Sequence, residues 1–187
     1  MITDAETEAL QSFEPGVLDA DFGTRVLGGY RKASSGDGAI GLERYALETD
    51  VRLSGSNFGQ RFRDKYFDAT YNLCLTLDGS LVASLGFDLD GDDMNVWQLQ
   101  GIRGQAPALR PLRWERALLD RAVEWARSSA VATVYVASAG HVRWATGPGH
   151  LDPARAKLRY DVTAKRCGFR RNLDDYYELS LRVPELA

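Results

Sequence analysis

The sequence predicts an α+β fold: a mixed sheet with an antiparallel meander at its N-terminal side, a parallel β-α-β crossover in its C-terminal half, and helices on both faces. Three stretches carry this reading. Residues 71–101 hold alternating apolar runs broken at Asp78-Gly79, a pair suited to a tight hairpin turn, and again at DGDD, 90–93. Residues 111–126 carry the strongest amphipathic pattern, with Leu118, Ala122, Trp125 and Ala126 recurring at spacings of three and four. Residues 132–139, ATVYVASA, are apolar and β-branched enough for a strand covered on both faces. A right-handed crossover then lays that strand beside residues 94–101 and parallel to it.

Taken in order, residues 1–38 read as an N-terminal helical extension and 39–187 as the sheet domain. Thr3 and Glu6 form a capping box for a first helix that Pro15 ends, and a second helical piece is expected around Phe22, Val26 and Tyr30. SSGDG at 34–38 reads as a loop. Residues 39–53 are ambiguous between periods and are taken as strand followed by helix or loop. Phe58, Phe62, Tyr66 and Phe67 fit a short amphipathic helix lying on the sheet. DLDGDD at 88–93 reads as a solvated turn, because its glycine is at the fourth place and Leu99 at the twelfth, unlike a calcium loop. Asp152 caps a helix with Pro153 at its first position, Gly168 ends it, and residues 177–183 alternate as the last strand.

A chain of 187 residues with 44% hydrophobic and 26% charged side chains belongs with ordinary globular proteins. The net charge of -3 argues against nucleic acid as a partner, since neutralising phosphates favours a basic chain. Two cysteines, Cys74 and Cys167, with no Cys-x-x-Cys spacing, suggest a reduced compartment; with no membrane span expected, a cytoplasmic location follows.

The join between 94–101 and the long helix is the chemical focus. Gly101 and Gly104 supply backbone freedom, Pro111 fits the first turn of the helix, and amide hydrogens at a helix mouth attract anions. Arg103, Arg110 and Arg113 add guanidinium groups that fork onto phosphate oxygens. The other reading of this loop is a connector with solvated arginines.

The element order, together with RGQA at 103–106, ALLDRAVEWARSSAV at 117–131 and AKRCGFRRNLDDYYELSL at 164–181, resembles the GNAT acyltransferase superfamily over about residues 70–183. The resemblance implies that acetyl-CoA or another acyl-CoA is co-substrate. Leu99, Gln100 and Gly101 would line the pantetheine arm, and Arg103, Gly104, Gln105 and Ala106, with Arg113, would face the phosphates. The acceptor would be a small-molecule or peptide amine. Three departures stand out. Gly101 replaces the Gln or Arg that opens the family's loop, residues 106–114 lengthen that loop, and Ala164 occupies the place of the tyrosine acid, with no Glu on the strand to act as base. Tyr160, one helical turn earlier, His141 and His150 are the nearest groups able to move a proton. The departures leave a second reading, a GNAT-shaped module that binds a ligand or partner without catalysis. A third is a nucleic-acid binder using Arg103, Arg110, Arg113, Arg116 and Arg143. Leu99-Gln100-Gly101, His141-Val142 and Tyr160-Asp161 are also similar to motifs of VirK/YbjX-type bacterial proteins.

Overall fold

The computed structural model describes residues 13, 16–33, 41–142 and 152–182. The first predicted helix, the 34–38 loop and His150 lie outside these residues. Within them the strands are β1 (Gly16–Asp19), β2 (Tyr45–Val51), β3 (Tyr71–Leu77), β4 (Ser80–Asp90), β5 (Asp93–Gly101), β6 (Thr133–Ala137), β7 (Arg170–Arg171) and β8 (Tyr176–Ser180). They form one sheet in the order β1-β2-β3-β4-β5-β6-β8-β7, in which β5 and β6 are parallel and every other neighbouring pair is antiparallel. The α+β class, the meander and the crossover are therefore present. The hairpin turn is built as its residues require, with Asp78 at φ 49° and Gly79 at φ 75°, the left-handed pair that Asp-Gly tolerates.

Helix α1 (Phe22–Arg25) and a 3-10 turn at Leu27–Tyr30 follow β1, and α2 (Ala106–Leu109) precedes the long α3 (Trp114–Ser128). The face of α3 predicted to be apolar is buried at Leu118, Ala122, Trp125 and Ala126. It packs on β3 and β4 in the main core with Leu73, Leu85, Phe87 and Val96. After β6, α4 (Pro153–Lys157), one π-helical turn (Leu158–Val162) and α5 (Thr163–Arg166) run as a continuous helical segment. Asp152 caps it by accepting the Arg155 N–H at 3.3 Å, and Gly168 ends it at φ 89°.

Several expectations need correction. The helical piece expected around Phe22, Val26 and Tyr30 is present as α1 and the 3-10 turn, but β1, which precedes it and pairs with β2, was not expected. In 41–53 a 3-10 turn at Leu42–Arg44 comes first and the strand follows, reversing the predicted order. Residues 52–70 are a loop. Asp50, fully buried on β2, accepts N–H bonds from Arg61 and Phe62, each at 2.9 Å, and this long-range anchor competes with local helix formation. Phe67 and Phe62 still reach the sheet, packing with Cys74, Leu81 and Ile102, whereas Phe58 and Tyr66 are exposed. Pro111 is not in the first turn of α3, which begins only at Trp114 with Arg113 before it as N-cap.

Candidate active site

β5 opens the site. Gly86 on β4 faces Gln98 while the adjacent Phe87 faces Val96, so Trp97 is an extra residue bulged out of β5. A bulge bends its strand and raises the local twist. Pairing with β6 runs from Asp93–Thr133 to Val96–Val136, and β5 then continues to Gly101 paired with β4 alone. The two parallel strands thus part at the bulge and leave a fork.

The π-helical turn fills that fork with three consecutive side chains. Tyr160, fully buried, accepts the Leu99 N–H at its hydroxyl, 2.8 Å, and Arg159 donates to the Leu99 carbonyl at 3.3 Å. Asp161 accepts the Ala139 N–H at 2.9 Å just beyond the end of β6. One wide turn of helix therefore bridges both prongs; single π turns of this kind cluster at functional sites. Burial pushes the Tyr160 phenol well above its ordinary value, against the opposing pull of the Leu99 hydrogen bond and the Arg159 charge, so it stays protonated at neutral pH.

The glycine loop is arranged differently from the expectation. Gly104 takes φ 87° and Gln105 precedes α2, with its N–H bonded to the Ile102 carbonyl at 3.0 Å, so Arg103, Gly104, Gln105 and Ala106 lead into α2 and not into α3. Residues 111–113 run beside 30–32: Arg113 donates its N–H to the Tyr30 carbonyl at 2.8 Å, and Lys32 to that of Pro111 at 2.9 Å. The chain's own backbone thus takes up one amide hydrogen at the mouth of α3. A Cβ on Gly101 would lie 3.0 Å from Leu109 and 3.5 Å from Trp114, so the absence of a side chain there lets α2 and α3 close on the prong. The Gln100 side chain is bonded to that of Gln98.

The cations gather elsewhere. A cavity of about 370 Å³ between the start of α3 and the α4–α5 segment is lined by Lys32, Arg113, Arg116, Arg155, Arg159 and Arg166, with Glu115 the one acid. Burial pushes the Glu115 carboxyl up and the Arg159 guanidinium down, and each charge opposes that effect on the other. Arg159 also stacks over the Trp114 ring at 5.4 Å, which ties the cavity to the fork through one side chain. Of the predicted phosphate ligands only Arg113 is in this cavity; Arg103 and Arg110 are exposed apart from it. Arg155 and Arg159 were overlooked although their i, i+4 spacing on a predicted helix puts them on one face, whereas Lys32 has no such signal.

His141 is on the other side of the fork. Its ring stacks on Tyr176 at 4.4 Å, and its Nδ1 is 3.2 Å from the Ser138 hydroxyl. Among the described residues no cluster of His, Cys, Asp or Glu is placed to hold a metal, and Cys74 and Cys167 are free thiols. No described helix is long and apolar enough to cross a membrane.

No protein-family model matches the chain, and no curated protein matches it significantly. Among solved structures, the chain is similar to the ribosomal-protein-S18-alanine N-acetyltransferase of Escherichia coli, at 15% identity and TM-score 0.38 over 62% of this chain and 72% of that one. It is also similar to a protein of Desulfovibrio desulfuricans classed with the GNAT acetyltransferases, at 13% identity and TM-score 0.39 over 60% of this chain and 69% of that one. At these scores the alignments decide nothing by themselves. The structure itself shows a mixed α+β sheet whose two parallel strands part at a bulge.

Proposed function

We propose that the chain is a GNAT-like N-acyltransferase that takes the acyl group from an acyl-CoA and passes it to an amine. The carrying observation is the conjunction of a bulge-opened fork with a six-cation cavity at its side. A thioester with a long amide-bearing arm and a phosphorylated nucleotide needs both an unpaired strand edge and a concentrated positive site. In this reading Arg113, Arg116, Arg155 and Arg166 take the phosphates, with Arg103, Gly104, Gln105 and Ala106 as the outer rim. Leu99, Gln100 and Gly101 line the arm. Its amides exchange with the Arg159 and Tyr160 side chains for the Leu99 N–H and carbonyl. Tyr160 carries the proton that passes to the departing thiolate; burial makes the phenol a weaker acid, and the Leu99 hydrogen bond and the Arg159 charge work against that burial to ease the transfer.

The test is binding before turnover. Acetyl-CoA at millimolar concentration is expected to raise the melting temperature, because a ligand selective for the native state stabilises it. Absence of a shift across several acyl chain lengths overturns the reading. A second reading, binding without catalysis, is favoured by one observation: Ala164 stands where the resemblance puts the tyrosine acid, and β5 carries no Glu to act as base. Acetyl-CoA binding with no transfer to a broad panel of amines would select it.

A further inference from the structure

The end of β6 carries a relay that the fork alone does not explain. Ser138, 1% exposed, places its hydroxyl 3.2 Å from Asp175 Oδ2 and 3.2 Å from His141 Nδ1. A carboxylate only accepts, so the one hydroxyl proton points to Asp175. The serine oxygen is then an acceptor toward His141, and Nδ1 must carry hydrogen. Neutral imidazole has a single ring proton, which leaves the lone pair on Nε2. The pieces are held firmly. His141 N–H bonds to the Ser138 carbonyl at 3.0 Å, and Asp175 is held in the left-handed region at φ 67°. Arg171 binds Asp175 Oδ1, leaving Oδ2 for the serine.

This relay borders the fork. Ala139, next to Ser138, is bound by Asp161, the neighbour of Tyr160. Tyr176, on which the imidazole stacks, meets Trp97, the bulged residue, edge-on at 6.1 Å. His141 remains 36% exposed on its side chain, and Ser138 engages only its Nδ1.

We propose that His141 is the proton acceptor for the attacking amine through Nε2, and that Ser138 and Asp175 are positioning residues that fix its tautomer; the role rests on the acyltransferase reading. The amine nitrogen bonds to the thioester carbon and the carbon–sulfur bond breaks. The surplus amine proton passes to His141 Nε2 and the Tyr160 proton passes to the sulfur; the proton on imidazolium balances the one the phenol has given up and returns to it once product has left the fork. Asp175, 3.8 Å from Nδ1, faces the imidazolium as it forms.

Long-range proton–nitrogen correlation on the histidine-labelled full chain, with His141→Gln identifying the signal, tests the relay without turnover. The expected pattern is Nδ1–H, changing to Nε2–H in Ser138→Ala; Nε2–H in the unaltered protein overturns the proposal. In the transfer assay, His141→Gln is expected to lower kcat by about 100-fold or more with acetyl-CoA affinity unchanged. Unchanged kcat overturns the base alone. No acetyl-CoA binding by the unaltered protein overturns the acyltransferase reading and the base with it, and the tautomer result distinguishes the two failures.

Discussion

Tyr160 is where structure and chemistry meet in one side chain. Its hydroxyl is the partner of the buried Leu99 N–H, and Tyr160→Phe deletes that acceptor while keeping the ring. The expected cost is about 1–3 kcal/mol, the range for a buried donor left unsatisfied, read by chemical denaturation. The same residue contributes to pH dependence. Its pKa is raised in the fold chiefly by burial, so its contribution to stability is fully present below the ordinary phenol value of about 10 and is lost as pH rises through the folded value. The alkaline fall in stability should therefore be shallower in Tyr160→Phe than in the parent, though not absent, since burial also raises Tyr30. Tyr160 was legible as a candidate from its position one helical turn before Ala164. Its bond to Leu99 was not, because the two are separated by 61 residues and are joined only by the π turn.

At the level of elements, the loop 52–70 shows why periodicity failed there. Aromatics four apart imitate a helix, yet two of them face solvent and two face the sheet, because Asp50 fixes the backbone from a distant strand. Asp50→Ala should cost roughly 3 kcal/mol, as charged hydrogen bonds do when lost, and accelerate hydrogen exchange at the Arg61 and Phe62 amides first. Slow exchange at those amides in the variant would show that the aromatics alone hold the loop. By contrast, the meander, α3, β6 and the Asp152–Gly168 segment were readable, since each is specified by its own turn, cap or apolar face. The fork was half readable: the parallel pairing followed from the crossover, but no local feature of residues 94–101 announced that Trp97 would bulge.

Across the whole molecule, charge is arranged against the net sign. A chain of net charge -3 concentrates six cations around one cavity, so composition argued against bulk polyanion binding without revealing where basic side chains gather. If acyl-CoA binds there, affinity should fall steeply as salt is raised, and pantetheine, lacking the nucleotide phosphates, should show little salt dependence. Equal salt dependence for both would remove the cavity from the site. The ends of the sheet matter at this scale too. β7 is only two residues long, and both, Arg170 and Arg171, are exposed. Open strand borders invite copies of a chain to stack edge to edge, and an exposed charge there repels such stacking; Arg170 supplies one, while Arg171 is paired with Asp175. Replacing Arg170 by valine should therefore turn a dispersed solution into one that scatters light as concentration rises, making this short basic border a guard against polymerisation.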